Sequence, residues 1–374
     1  MANLEAKTHM STLQLAIIVI TACIGGAQIM LAPRGLIEIA GQGAWLSIIF
    51  GGVFFYIATC LMLKLGKQYP DETLVEYAPR LFGRWGGNLV ILWFNLLFFL
   101  QLIQTVSSAG KVITFHMFDR TPPEVVILAL LVICTYCALQ DWGTILRVQQ
   151  FIFFVAYSMF TVVWMVSIFN LQPENLLPLQ SIKIKPVVSG GFSIWPMYSG
   201  YECILLLLPL VYRGASLAKL AKGVGGVFAY LILFFMMIMI IIIGVLTVEN
   251  AKNVPYPTLV VIRSVELPGT FVERLENYLL LAWVPVIFGT FSVIIFFMGQ
   301  VCMRYYRYTD HRPWILVLVP IIYVGSILLL DDPQGYEEIS KLTIWAGLGF
   351  SFVLVPLALI LCWRQRRKAV AHCG

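Results

Sequence analysis

The chain has 374 residues, of which 60% are hydrophobic and only 12% are charged, whereas soluble domains carry about 25% charged residues. This composition excludes an ordinary soluble domain and predicts a protein of the lipid bilayer. The first apolar run extends from Thr12 past Leu31. It is longer than the apolar region of a signal peptide, about 7–15 residues, so we expect it to stay as a membrane helix.

The length of the apolar stretches predicts a single all-α transmembrane domain over residues 1–374. A membrane helix needs about 20 predominantly apolar residues, and the sequence offers ten such stretches. We number them spans 1 to 10, at residues 13–37, 43–65, 86–113, 122–140, 144–169, 190–212, 222–247, 272–301, 313–330 and 339–363.

The basic residues predict the orientation of these spans. If both termini lie in the cytoplasm, 16 of the 25 Lys and Arg residues fall on the cytoplasmic side, as the positive-inside rule requires. The segment at 364–368, Arg-Gln-Arg-Arg-Lys, then anchors the last span. The net charge of +6 is therefore a topology signal, and no nucleic-acid partner is needed to explain it.

Two long connectors, 66–86 and 247–270, suggest an internal repeat, because each follows the second span of a five-span half. They share a short string, which predicts short helices starting at Pro70 and Pro257. The charge count puts the first connector inside and the second outside. We therefore expect two inverted repeats, at 13–169 and 190–363, an arrangement that places binding sites at the bilayer midplane. Chance similarity of so short a string is the alternative.

The first span of each half carries residues that weaken a helix. Gly25-Gly26 lies in the middle of span 1, and Pro196 and Gly200 lie in span 6. One interpretation is close helix packing through small residues. The other is a pair of unwound segments whose backbone groups bind a ligand. On the second interpretation the candidate ligand-binding residues at the two breaks are Thr21, Cys23, Gly25, Gly26, Tyr198, Ser199 and Gly200.

Four polar residues inside the spans complete the candidate site. Glu202 is an intramembrane carboxyl group, which is costly and points to function; it would receive a ligand amine, carry a proton, or pin span 6 by hydrogen bonds to nearby backbone. Gln101 and Gln104 share one face of span 3, and Thr290 lies in span 8. The alternative for these three is hydrogen bonding between helices.

Motifs for enzymatic or metal chemistry are missing from the sequence. It has no G-x-x-x-x-G-K-[ST], H-E-x-x-H or G-x-S-x-G string. The four histidines lie at termini or loop edges, and the eight cysteines are scattered, with one C-x-x-C inside span 4. We expect no enzymatic activity, cofactor or metal site.

An ordered set of short strings runs along nearly the whole sequence. The strings are Ile24-Gly25-Gly26, Leu31-Ala32-Pro33-Arg34, Tyr69-Pro70, Glu76-Tyr77, Leu81-Phe82-Gly83, Arg120-Thr121-Pro122-Pro123, Ser199-Gly200-Tyr201-Glu202, Phe271-Val272-Glu273-Arg274-Leu275-Glu276 and Trp283. In this order they resemble the B subunits of bacterial spore germinant receptors, within the amino acid/polyamine/organocation permease superfamily. The resemblance implies the five-plus-five inverted repeat of LeuT and the amino acid permeases, and a subunit that senses an amino acid, sugar or nucleoside. It also implies A and C partner subunits and the inner membrane of the spore, with both termini on the core side.

By position, the resemblance matches Gly25 to the family's span 1 break and Ser199-Gly200 to its span 6 break. It matches Gln101 and Thr290 to pocket positions on spans 3 and 8. Proton-coupled relatives often carry a Lys on span 5, which has none in its apolar stretch here. A receptor is therefore the first hypothesis; a secondary transporter for amino acids or organic cations is the second, and a membrane scaffold with a collapsed pocket is the third.

Overall fold

The computed structural model describes residues 10–24, 28–118, 120–177, 180, 182–211, 216–264 and 275–373, with side chains through residue 367. Within these residues the regular structure is helical, and the one β interaction is a bridge between Met10 and Val211. The helices, α1 to α15 in chain order, are Thr12–Ile24, Gln28–Ala40, Ala44–Gly66, Leu74–Met117, Pro123–Ala138, Trp142–Ser167, Ile184–Ser193, Trp195–Tyr198, Ile204–Leu207, Leu217–Asn253, Pro257–Arg263, Leu275–Tyr305, Arg312–Leu328, Pro333–Gly349 and Val355–Cys373.

Within the described residues each of the ten predicted spans coincides with helical structure, so the all-α membrane prediction is confirmed. Six helical runs in the described part are long and apolar enough to cross a membrane. Spans 4 and 9 form the somewhat shorter helices α5 and α13, of 16 and 17 residues. Span 1 is shared between α1 and α2, and span 6 between α7, α8, α9 and two short 3-10 turns.

The short helices in the two long connectors are both present, but the first starts later than predicted. Pro70 lies in a turn, and α4 begins at Leu74 because Thr73 and Glu76 form a capping box there. Gly83, at φ +74°, then breaks α4 and separates this first short segment from span 3. In the second connector α11 starts at Pro257, as predicted.

The centre of the bundle is α12, which packs against α1, α4, α5, α6 and α13. In its most apolar stretch 78% of the residues are buried. The last span, formed by α14, a π-helical turn at Phe350–Leu354 and α15, lies at the periphery, with only 33% of the corresponding stretch buried. The candidate site lies where α1, α4, α12 and the interrupted span 6 meet.

Candidate functional site

Span 6 is broken at Ser199 and Gly200. Ser199 is extended, with φ −58° and ψ 143°, and Gly200 has φ +119°, a conformation that residues with a Cβ rarely adopt. A Cβ on Gly200 would also lie 2.8 Å from both the carbonyl carbon and the oxygen of Ala22 in α1. Glycine is thus required twice here, for the backbone conformation and for the close approach of span 6 to the end of α1.

The end of α1 is tied to its neighbours by hydrogen bonds to backbone carbonyl groups. The thiol of Cys23 donates to the carbonyl of Tyr198 at 2.9 Å, and the hydroxyl of Thr290 on α12 donates to the carbonyl of Thr21 at 2.6 Å. The hydroxyl of Thr21 itself donates to the carbonyls of Ile17 and Ile18, so it is engaged within α1. The last turn of α1 is thereby held between the span 6 break and α12.

Gln101 and Gln104 share a face of α4 but have different partners. The hydroxyl of Ser199 donates to Oε1 of Gln101 at 2.7 Å, which places Gln101 at the break. Gln104 lies one turn further along, and its Nε2 donates to the carbonyl of Leu100 and to the hydroxyl of Thr343 on α14 at 2.8 Å. Among the described residues, Gln101 is the one of the two glutamines with a hydrogen bond to the span 6 break.

Glu202 is completely buried, and its two carboxylate oxygens differ. Oε2 accepts a hydrogen bond from the backbone N–H of Gly200 at 2.8 Å, which holds the backbone of the break. Oε1 has no hydrogen-bond partner among the described residues. The hydroxyl of Tyr201 and the indole N–H of Trp195 lie close to the carboxylate, and the indole nitrogen is also without a partner in the described part. Pinning of the backbone by Glu202 therefore has direct geometric support.

The structure brings eight of the eleven predicted residues to one place. These are Thr21, Cys23, Gln101, Tyr198, Ser199, Gly200, Glu202 and Thr290. Gln104 faces α14 instead. Gly25 and Gly26 lie outside the described residues, and the neighbouring helices end at Ile24 and begin again at Gln28.

Three polar contacts near the break were not predicted. Trp195 lies beside Glu202, and the hydroxyl groups of Tyr201 and Ser351 are 2.8 Å apart, which connects the break to the π-helical turn after α14. Gln149 on α6 is fully buried and donates to the carbonyl of Gly289 at 2.7 Å, one residue before Thr290. The rule that buried polar groups are costly in lipid would have selected Gln149 and Ser351 from their apolar spans.

Comparison with solved structures identifies the fold. MhsT in complex with L-phenylalanine superposes with a TM-score of 0.72 at 13% sequence identity, covering 95% of this chain and 92% of that one. A Na⁺-coupled sialic acid symporter in a substrate-bound outward-open state has a TM-score of 0.65 at 10% identity, covering 93% and 78%. The chain therefore has the LeuT-type five-plus-five inverted-repeat fold that the sequence resemblance implied.

Comparison with known sequences identifies the family. The family described as spore germination protein matches residues 9–334. Spore germination protein B2 of Bacillus subtilis is 30% identical over 97% of this chain and 98% of its own length. Spore germination protein YndE of the same organism is 27% identical over 96% and 98%, and GerLB of Bacillus cereus is 18% identical over 93% of both chains. The chain belongs to the spore germination protein family of multi-pass, permease-like membrane proteins.

Proposed function

We propose that this protein is the germinant-sensing B subunit of a spore germinant receptor. A small nutrient, either an amino acid, a sugar or a nucleoside, would bind at the bilayer midplane between the end of α1 and the span 6 break. The observation that carries the proposal is the close approach of Gly200 to Ala22. Gln101 is hydrogen-bonded to the span 6 break, and Thr290 is hydrogen-bonded to the last turn of α1. Carbonyl, hydroxyl and amide groups meet there in an apolar surrounding, as small-molecule sites require.

Binding would signal by changing the balance between two helix arrangements. A ligand shifts such a balance only if it binds one arrangement better than the other. A ligand that replaces the hydrogen bond from Ser199 to Gln101, or the one from Cys23 to Tyr198, would alter how α1 sits against span 6. The A and C subunits would read this change in the inner membrane of the spore, with both termini of this chain on the core side.

A secondary transporter is the competing function, and one hydrogen bond favours the receptor. Backbone carbonyls beside a break in such folds are typical ligands for a coupling cation. The carbonyl of Thr21, in the last turn of α1, already accepts a hydrogen bond from the hydroxyl of Thr290. This contact leaves less of that carbonyl for an ion.

The first experiment screens amino acids, sugars and nucleosides for thermal stabilisation of the purified protein. A ligand at 100 times its Kd should stabilise the folded state by about 2.7 kcal/mol. Thr290→Val should reduce this stabilisation, whereas Ser292→Ala, which removes a hydroxyl bonded within α12 itself, should not. Equal loss in both variants, or in neither, would contradict a site at the break.

The second experiment separates receptor from transporter. Purified protein in liposomes should bind the hit without accumulating it under a proton or sodium gradient. Gradient-driven uptake would instead establish the transporter. A matched pair on α4 serves both assays: Gln101→Leu removes the partner of Ser199, while Thr105→Val removes a hydroxyl that bonds only its own helix.

A further inference from the structure

The exposed face of α15 changes from apolar to basic at one level. Leu357 and Ile360 are 46% and 49% exposed. Arg364 and Arg367 continue the same face, because the four residues follow the spacing i, i+3, i+7, i+10, and both arginines are exposed. Lipid surrounds the apolar part of a peripheral membrane helix. The change in character after Ile360 therefore marks the level of the lipid headgroups, on the side that the charge count makes cytoplasmic.

Two residues between and beside these arginines tie the end of α15 to the rest of the protein. Nε2 of Gln365 donates to the carbonyl of Arg80 at 3.3 Å, and Nη2 of Arg366 donates to the carbonyl of Gln68 at 3.4 Å. Both carbonyls belong to the first long connector, at residues 66–86. The end of α15 is therefore held against this connector on the face opposite to the exposed one.

The positive charges of Arg364 and Arg367 have no anionic partner in the described part of the chain. Neither side chain forms an ion pair or a hydrogen bond there. The carboxylate of Glu72 in the first long connector is bound by Arg80 at 2.6 Å instead. Two guanidinium groups thus face the headgroup level of the bilayer with their charge uncompensated by these residues.

A third cation lies on the neighbouring helix α3. Lys64 is exposed in the last turn of α3, and it shares a face with the exposed apolar residues Val53 and Ile57. The helices α3 and α15 pack against each other. The hydroxyl of Tyr69, just after α3, donates to Sγ of Cys362 on α15 at 3.6 Å, so the two helix ends lie at the same level. Two adjacent helices therefore each end a lipid-facing apolar surface with basic residues.

The guanidinium group of Arg367 is held in place by an aromatic ring. Its central carbon lies 3.7 Å from the centre of the Trp363 ring, on the same helix. A guanidinium group over an aromatic ring keeps N–H groups at its edge free, and their fork geometry matches two oxygens of a phosphate group. Tryptophan itself favours the headgroup level of a membrane. The pair is therefore prepared to receive a phosphate at this level.

We propose that Lys64, Arg364 and Arg367 bind the headgroup phosphate of an anionic phospholipid, whose acyl chains lie along the exposed apolar residues of α3 and α15. The inference goes beyond the proposed function and does not depend on it. Basic pockets between membrane helices on the cytoplasmic side are suited to anionic headgroups. The apolar surface that leads to these cations favours a lipid over a free phosphate ion, because the acyl chains add apolar contacts.

The site can be tested by titrating the purified full-length protein with phosphatidylglycerol in a neutral detergent and reading the lipid-bound fraction by native mass spectrometry. Arg364→Gln/Arg367→Gln should weaken binding about 30-fold, since each cation near an anionic headgroup contributes about 1 kcal/mol. Arg147→Gln/Arg307→Gln is the matched control, because it removes the same charge from two exposed arginines, on α6 and after α12. The control should leave the affinity unchanged.

Two other lipid-sized probes and one tryptophan pair define the ligand. Phosphatidylcholine with the same acyl chains has no net charge and should bind about tenfold more weakly. Glycerol phosphate has the headgroup charge without the chains and should not bind in the same concentration range. Trp363→Leu should weaken phosphatidylglycerol binding about two- to fivefold, because Arg367 loses its ring. Trp345→Leu, at an exposed position of α14 about 27 Å along the last span, should not.

Each contrary result overturns the proposal. Equal weakening in the two double variants would mean that overall charge, and no particular site, attracts the lipid. Binding of glycerol phosphate as tight as that of phosphatidylglycerol would leave a free-phosphate site. If Arg364→Gln/Arg367→Gln binds phosphatidylglycerol normally but no longer co-purifies with partner subunits, the cations bind an acidic protein surface. If this double variant fails to fold, Arg364→Gln alone, compared with Arg147→Gln, should show a loss of about fivefold, and equal affinities would overturn the site.

Discussion

Gly200→Ala is the substitution that tests the centre of the site most directly. The added methyl group would meet the carbonyl carbon and oxygen of Ala22 at 2.8 Å, and these backbone atoms cannot move aside like the end of a flexible side chain. The new residue would also have to adopt φ +119°. Alanine at position 200 must therefore either shift α1 away from span 6 or change the backbone of the break.

The expected loss of stability has two contributions, the strained backbone conformation and the steric clash with Ala22. A residue with a Cβ in a sparsely populated backbone region costs about 1–3 kcal/mol, and overpacking a close contact costs about 1–3 kcal/mol more. We therefore expect Gly200→Ala to lower the free energy of unfolding by about 2–6 kcal/mol. It should also abolish ligand stabilisation, because the break and the end of α1 form the proposed site together.

Two other glycines serve as controls that separate backbone strain from steric clash. Gly83 has φ +74°, but a methyl group added there would have no described atom within 4 Å, so Gly83→Ala should show the strain alone. Gly226 on α10 has ordinary backbone geometry and open space, so Gly226→Ala should be neutral or raise stability by up to about 1 kcal/mol. The assay is thermal unfolding of the purified protein in the same detergent, with ligand binding measured in parallel.

The order of stability of the three variants tests whether backbone strain and steric clash both act at position 200. If strain and clash both act at position 200, Gly200→Ala is the least stable variant, Gly83→Ala is intermediate and Gly226→Ala is the most stable. If Gly200→Ala is no less stable than Gly83→Ala, the close approach of span 6 to α1 contributes nothing. If Gly200→Ala folds poorly but still binds the ligand normally, the break is structural and the ligand binds elsewhere.

Three further predictions concern contacts around the site and at the helix ends. Cys23→Ala removes the thiol that donates to the span 6 break and should lower the free energy of unfolding by about 1 kcal/mol. Cys23→Ser keeps a donor at this position and should lose less stability in the same unfolding assay. Arg304→Gln breaks the 3.0 Å pair between α12 and Glu76; because both side chains are partly exposed, a double-mutant cycle should give no more than about 1 kcal/mol. Asp141 caps α6 through Thr144, so Asp141→Ala should cost about 1 kcal/mol at neutral pH. The hydroxyl of Thr144 holds the pKa of Asp141 below its usual range. The stabilisation by ionised Asp141 is therefore present above its unfolded-state pKa near 3.9 and disappears as the pH falls through its folded-state pKa. Asp141→Ala should lose this pH dependence of stability, so an unchanged pH profile in the variant would contradict the prediction.

The sequence by itself determined that this is a helical membrane protein and determined most of the arrangement of its spans. Apolar stretches of membrane length require helices, because lipid offers no partners for unpaired backbone groups. Pro196 and Gly200 marked the break in span 6 because both weaken a helix. Glu202 stood out because a carboxyl group in a membrane span is costly. The bounds of the two repeats, 13–169 and 190–363, and the cytoplasmic position of both termini stay predictions of the sequence.

Only the tertiary structure decided what these residues contact. Helical spacing puts Gln101 and Gln104 on one face, but whether that face meets span 6 or α14 depends on how the helices pack, and the two glutamines meet different helices. The same holds for Thr21, whose hydroxyl bonds its own helix while its carbonyl receives Thr290. The break at Gly200 was visible in the sequence, but its contact with Ala22 joins residues far apart in the chain, and no local pattern specifies such a contact.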